Sequence, residues 1–272
     1  MADFLFQILS YPFIVRAFAV GIPVSLCAAL LGVSLVLRRY SMIGDGLSHV
    51  GFGALALAAA LNMAPLQVTI PVVIAAAFFL LRITENSKVK GDSVIAVIST
   101  GALAIGVMII SLTKGMNTDL NNYLFGSILA MSNSDMIISI ILSVIVLVLY
   151  ILFYNAVFSV TFDERFARAT GIKTQIFNIF TAVLTAVTVV LGMRMMGAML
   201  ISALIIFPPL ASMRIFKTFR AVTISSAVLA VICFVAGLLL SCVYAVPTGA
   251  CIVVVNLTVL IIFSLFSTIV KS

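Results

Sequence analysis

Apolar residues fall into nine long runs, and polar positions are confined to the short stretches between them. The runs lie near residues 12–37, 43–62, 65–82, 93–113, 134–157, 174–192, 197–210, 221–244 and 248–270. A helix needs about 20 mostly apolar residues to cross a bilayer. All but one of the runs approach that length. The seventh, at about 14 residues, predicts a partial or broken helix. The pattern therefore predicts an all-α, polytopic transmembrane helical bundle with eight or nine spans. Because the runs tile nearly the whole chain, residues 1–272 are expected to form a single membrane domain.

Composition strengthens this picture. Hydrophobic residues make up 64% of the chain and charged residues only 8%, against about a quarter charged in a soluble domain. The mean hydropathy is +1.36. A soluble fold this apolar would have no polar surface to show to water. The start, MADFLFQILSYPF, has neither a basic n-region nor a small-residue cleavage site, so the first run is expected to be a retained helix.

Charge gives the orientation. The net charge of +7 comes from bases clustered between the runs. Arg38, Arg39, Arg82, Lys88, Lys90, Arg165, Arg168, Lys173, Arg214, Lys217, Arg220 and Lys271 all fall on alternate connections. The opposite side holds only Arg16, Lys114 and Arg194. Basic residues concentrate on the cytoplasmic side of membrane proteins, so the first set faces the cytoplasm. With nine spans, the N-terminus lies outside and the C-terminus inside. No basic stripe with interleaved aromatics is present, which excludes nucleic acid as a partner.

Two connections carry further signal. Residues 114–134 are polar, then briefly apolar, and lie outside; the apolar piece is too short to span and predicts a re-entrant or surface helix. Residues 158–175 form the most charged stretch. There Asp163 and Glu164 precede Arg168, which suits a short surface helix with acids at its N-terminal end, and Gly171 is placed to cap its C-terminus. Of the four cysteines, Cys27, Cys233, Cys242 and Cys251, no two form a C-x-x-C pair. They read as apolar packing residues, with a pairing of Cys242 and Cys251 across one outer turn left open.

Catalytic motifs are missing. The chain has no G-x-x-x-x-G-K-[ST] phosphate loop, no H-E-x-x-H and no G-x-S-x-G. It is not expected to be an enzyme. Transport or a passive structural role remains.

One segment carries chemistry. The single histidine, His49, follows Asp45 by four residues. On a helix these two positions share a face, so a carboxylate and an imidazole project together at the membrane boundary. An ionisable residue in a span costs about 2.5–3.5 kcal/mol on insertion scales and usually faces a pathway or a partner. Oxygen and neutral nitrogen ligands suit Zn²⁺, Mn²⁺ or Fe²⁺. One chain supplies two ligands, and two chains about a twofold axis would supply four. On spacing alone the competing account, Asp45 capping a helix and His49 packing in it, is the better supported. The small residues that follow, Gly51, Gly53, Ala54, Ala56, Ala58, Ala59 and Ala60, predict tight helix packing and also suit a pore-lining or dimer-facing helix.

Three segments, in order, resemble one family. Residues 39–49, R-x-S-x-I-G-D-G-L-S-H, are similar to the G-D-A-L-S-H signature of the permease subunits of bacterial ABC importers for zinc, manganese and iron. Residues 161–174 resemble that family's F-D-x-x-F-A-R-A-x-G element. Residues 197–216 resemble its apolar helix ending in proline and then A-x-x-R. The resemblance covers most of the chain. It implies an ABC importer permease fold, a homodimer in the bacterial cell membrane, two cytoplasmic ATP-binding subunits and an extracellular or periplasmic metal-binding protein. It implies that Asp45 and His49 contact the translocating metal, which is cargo, with no permanently bound cofactor.

The resemblance also assigns further surfaces. A loop over about 208–220, with Pro208, Pro209, Arg214, Lys217 and Arg220, would touch the ATPase; as sequence alone, its bases read as positive-inside anchors. Asp163, Glu164, Arg165 and Arg168 would form a secondary cytoplasmic interface. Asn117, Asp119, Asn121 and Asn122 would dock the binding protein, although each also reads as a solvated loop residue. The chain departs from the signature at Gly46 and Val50, where alanine is usual; a glycine in a helix loosens it by up to about 1 kcal/mol relative to alanine. Two other classes stay open: a secondary, ion-coupled carrier without an ATPase, and a non-transporting membrane scaffold.

Overall fold

A computed structural model of the chain describes residues 11–86, 91–113 and 132–271. These residues form eleven helices. They are α1 (Pro12–Leu37), α2 (Ser41–Ala60), α3 (Pro65–Asn86), α4 (Gly91–Leu112), α5 (Asn133–Leu152), α6 (Tyr154–Phe162), α7 (Glu164–Ala169), α8 (Thr174–Met196), α9 (Ala198–Ile215), α10 (Phe219–Tyr244) and α11 (Thr248–Lys271). All but α6 and α7 are long and apolar enough to cross a membrane, which makes nine spans among the described residues. The fold is the predicted helical bundle. The 114–134 segment, apart from its last residues, and the proposed docking residues Asn117, Asp119, Asn121 and Asn122 lie outside the described residues.

Two boundaries differ from the expectation. The run over 134–157 is not one helix: Phe153 interrupts it, with φ −100° and ψ 15°. Phe153 packs its ring against Phe180 and Phe177, with centroids 5.2 and 5.8 Å away. Beyond it, Tyr154, Phe158 and Phe162 of α6 gather around Phe219 at the start of α10. Aromatic packing thus turns the chain where hydropathy alone shows no break. The seventh run, in turn, is longer than predicted. The apolar run ends near 210, yet α9 continues through Pro208 and Pro209 to Ile215 and has 18 residues.

A proline in a helix removes a backbone donor and frees the carbonyl four residues earlier. Pro208 and Pro209 therefore leave the Leu204 and Ile205 carbonyls without their helical donors. At Gly32 the backbone of α1 comes against the second of these: an added Cβ there would lie 2.0 Å from the Ile205 oxygen and 2.9 Å from its carbonyl carbon. Only a residue without a side chain permits this approach.

Tertiary bonds fix which helix ends lie together. Arg38 at the end of α1 bonds Glu164 of α7 and Asn178 near the start of α8. Asp135 at the start of α5 bonds Arg194 at the end of α8. A single residue, Gly197, with φ 87° and ψ 158°, joins α8 to α9, a backbone region that is essentially glycine-only. The end of α9 meets α11 where Ser267 Oγ donates to the Arg214 carbonyl. Residues 38, 164, 178 and 214 thus share one end of the bundle, and 135 and 194 the other. This is the sidedness that the basic residues predict. Core packing centres on α1, α2, α8 and α9, which supply Val24, Leu47, Met193, Leu204 and Ile205 among the buried residues.

Candidate functional site

Asp45 and His49 lie on α2, one turn apart. The residue preceding the helix is Tyr40, and among the described residues no side chain caps its N-terminus. Asp45 is therefore inside the helix and does not cap it, which removes the capping account. His49 Nε2 stands 3.7 Å from Asp45 Oδ2, too far for a hydrogen bond. Bonds of about 2.0–2.2 Å from nitrogen or oxygen to zinc let two ligands of one ion sit up to about 4 Å apart. Both atoms can thus reach one ion as they stand. The side chains are 24% and 36% exposed, so this face of α2 is open in the single chain. His49 Nδ1, by contrast, is buried and lacks a hydrogen-bond partner among the described residues.

The rest of α2 is held tightly by its neighbours α3, α4, α8 and α9. Ser48 Oγ donates to the Asp45 carbonyl at 2.7 Å and lies 3.2 Å from Ser202 Oγ of α9. A Cβ at Gly53 would lie 2.8 Å from the Ala102 carbonyl oxygen of α4. The small-residue stretch is thus used for close helix packing. At Gly46 a Cβ would lie 2.8 Å from Ile95 Cγ2. The glycine that departs from the family signature makes room for a buried isoleucine of α4.

Among the described residues, no three His, Cys, Asp or Glu side chains come together. One chain thus offers the Asp45–His49 pair and no third such ligand. All four cysteines are free, Cys242 and Cys251 included.

The 208–220 segment is not a loop. Pro208 and Pro209 are buried inside α9, and Arg214 is in its last turn. The link to α10 is short, and Thr218 Oγ1 caps that helix by accepting from the Ala221 amide. Arg214, Lys217 and Arg220 are exposed, so the surface-bearing part is a helix end, a short link and a helix start. The 161–174 segment does form the predicted short helix, α7. Asp163 Oδ1 accepts from the Phe166 amide at 2.9 Å, and is its N-cap. Gly171, at φ 90°, closes it: the Ile172 amide donates to Ala167 and the Gly171 amide to Arg168, the Schellman pattern. Arg165 and Arg168 are exposed. Glu164 is drawn inward, with Oε2 on Arg38 at 2.8 Å and Oε1 on Arg168 at 3.2 Å.

Two ion pairs were not foreseen. Arg38 reads in sequence as a positive-inside anchor, yet its side chain is 13% exposed and its guanidinium is shared between Glu164 and Asn178. Arg194, one of the few bases on the outer side, donates to Asp135 at 2.6 Å with side chains 20% and 15% exposed. Each member also complements a helix end, an acid in the first turn of α5 and a base in the last turn of α8. Replacing Asp135 by asparagine leaves a largely buried guanidinium without its counter-charge. The expected loss is about 2 kcal/mol, the scale of a hydrogen bond to a charged group. A lowered thermal midpoint of the detergent-solubilised chain would show it.

Nine membrane-length helices among the described residues define a multi-pass membrane protein, with a basic end and a partly exposed carboxylate–imidazole pair on an otherwise gripped helix. The chain belongs to the ABC 3 transport family, whose model matches residues 10–267. The high-affinity zinc uptake system membrane protein ZnuB of Haemophilus influenzae is 30% identical over 250 residues, which cover 92% of this chain and 95% of that protein. The manganese transport system membrane protein MntC of Halalkalibacterium halodurans is 29% identical over 261 residues, covering 96% and 89%. Among solved structures, PsaBC from Streptococcus pneumoniae in complex with Fab superposes with a TM-score of 0.86 at 28% identity, covering 96% of this chain and 94% of that one. This chain is a multi-pass permease subunit of a metal-uptake ABC importer in a bacterial cell membrane. It is a transport subunit and not an enzyme; ATP hydrolysis belongs to a separate subunit.

Proposed function

We propose that this chain works as a homodimer that carries a divalent transition-metal ion, zinc, manganese or ferrous iron, into the cell, and that Asp45 and His49 of both copies form the site through which the ion passes. The observation that carries this reading is the pair itself. Two ligand atoms of suitable chemistry stand 3.7 Å apart on a partly open face, and no third such group completes a site within the described residues. A second copy about a twofold axis would bring the ligand number to four.

A transport site must bind well enough to capture an ion and weakly enough to release it. Side chains left partly exposed serve that better than a closed structural site. The ion is cargo, and no resident cofactor is assigned. A metal-binding protein would deliver it to the outer face, with Asn117, Asp119, Asn121 and Asn122 as docking residues. Two ATP-binding subunits would sit against the exposed Arg214, Lys217 and Arg220 and, secondarily, against α7. Their closure would act on α9. That helix is bonded to α2 through the Ser48–Ser202 hydroxyl pair, one residue before His49, so movement of α9 reaches the metal pair directly.

Reconstitution tests this. The chain is placed in liposomes with its ATPase and binding protein, and Zn²⁺, Mn²⁺ and Fe²⁺ are offered separately. Accumulation of one of them that requires ATP is the expected result. Accumulation driven by an ion gradient without ATP would make the chain a secondary carrier, and no accumulation of any of the three would overturn the metal assignment.

A further inference from the structure

We propose that Glu164 and Arg38 form a second coupling link, through which the cytoplasmic helix α7 sets the position of α2 and so of Asp45 and His49. The proposal rests on the reading above that the exposed face of α7 meets the ATPase, and it adds the route from that face to the metal pair.

Helix α7 is short but locked at both ends, by the Asp163 cap and by the Schellman turn at Gly171. It therefore moves as a unit. Its outer face presents Arg165 and Phe166, the latter 65% exposed; its inner face presents buried Ala167. Glu164 joins the two sides. One carboxylate oxygen holds Arg168 on the same helix, an i,i+4 pair that suffices for local helix support. The other reaches Arg38, 126 residues away in sequence, at 2.8 Å.

Arg38 sits at the hinge of the metal-bearing segment. It is the C-cap of α1, and Tyr40 is the N-cap residue of α2. Arg39, between them, takes a left-handed conformation with φ 59°. Three backbone bonds stiffen this turn: Arg39 N to Val36 O, Tyr40 N to Leu35 O and Ile43 N to Tyr40 O, all within 3.1 Å. The Arg38 guanidinium lies 5.0 Å from the centre of the Tyr40 ring and also donates to buried Asn178 of α8. A pull on Arg38 is thus delivered to the first turn of α2, and Asp45 lies one turn further on.

The junction is not close-packed throughout. A gap beside it is bounded by Ser34, Arg38, Tyr40, Leu81, Val160 and Asn178, which come from α1, the start of α2, α3, α6 and α8. The gap has space for about one water molecule, so the guanidinium is not close-packed on every side.

The test uses the whole complex in liposomes, with Mn²⁺ or Zn²⁺ as cargo, and compares Arg38→Gln, Glu164→Gln and the double variant with the native chain. The readouts are metal moved per ATP hydrolysed and the thermal midpoint of the complex. A merely structural pair would lower the midpoint and reduce transport and hydrolysis together, keeping their ratio. The expected result is a fall in that ratio of about 2- to 30-fold, the range of coupling energies seen along physical networks. The double variant is expected to lose no more than the worse single one, since both remove the same link. Arg38→Lys keeps the charge but cannot fork between Glu164 and Asn178; it is expected to fall between native and Gln, and it serves if the neutral variants fail to fold. An unchanged ratio in Glu164→Gln, or losses that multiply in the double variant, would overturn the link. Failure of the native chain to bind the ATPase would overturn the reading of the α7 face and the link with it.

Discussion

Cells expressing Asp45→Ala or His49→Ala at native levels are expected to take up no metal above background. Loss of groups that only orient a metal ligand typically costs 10–100-fold in metal affinity or activity, and direct loss of one of two ligands per chain costs at least as much. In a twofold dimer each substitution removes two of four ligands at once. The bundle should tolerate these changes, because both side chains are partly exposed and, among the described residues, they face each other at 3.7 Å without anchoring another helix. The check is uptake normalised to the amount of chain in the membrane. Full uptake in both variants would return the pair to a packing role and leave the importer without this metal site.

Gly32→Val is expected to prevent accumulation of folded chain. Its Cβ would meet the Ile205 carbonyl oxygen at 2.0 Å, a backbone atom that no rotamer change can move aside. Overpacking typically costs about 1–3 kcal/mol and sometimes more; a collision with backbone at the α1–α9 crossing belongs at the top of that range or above it. A control comes from the same kind of change elsewhere. Among the described residues, Gly101 has nothing within 4 Å of an added Cβ, so Gly101→Ala is expected to be neutral or to gain up to about 1 kcal/mol of helix stability. The yield of monodisperse protein after mild solubilisation checks both. Normal yield and thermal midpoint for Gly32→Val would mean that α1 and α9 do not approach each other this closely.

Much of this molecule is legible in one dimension, because lipid demands long apolar helices and the basic residues then set their direction. The spans, the short helix at 164–169, its Gly171 stop and the common face of Asp45 and His49 all follow from local spacing. What local spacing cannot show is partnership at a distance. Arg38 and Asn178 are 140 residues apart, and Asp135 and Arg194 are 59 apart; as isolated residues Arg38 reads as an anchor and Arg194 as an outer base, and nothing local singles out Asn178 or Asp135. Phe153 breaks a helix through packing with rings on α8, which hydropathy does not register. The Pro208–Pro209 pair misleads in the other direction: it marks a stop in most helices, but here Gly32 closes against a carbonyl that the second proline frees. The proposed docking role of residues 117–122 and the choice of metal depend on partners that a single chain does not hold.

The central claim is a shared site, one ion between two copies. Equilibrium binding of radioactive Mn²⁺ or Zn²⁺ to the purified protein tests it most directly, with His49→Ala measured in parallel. The expected result is one ion for every two chains, lost in the variant. One ion per chain, or binding that His49→Ala leaves unchanged, would contradict it.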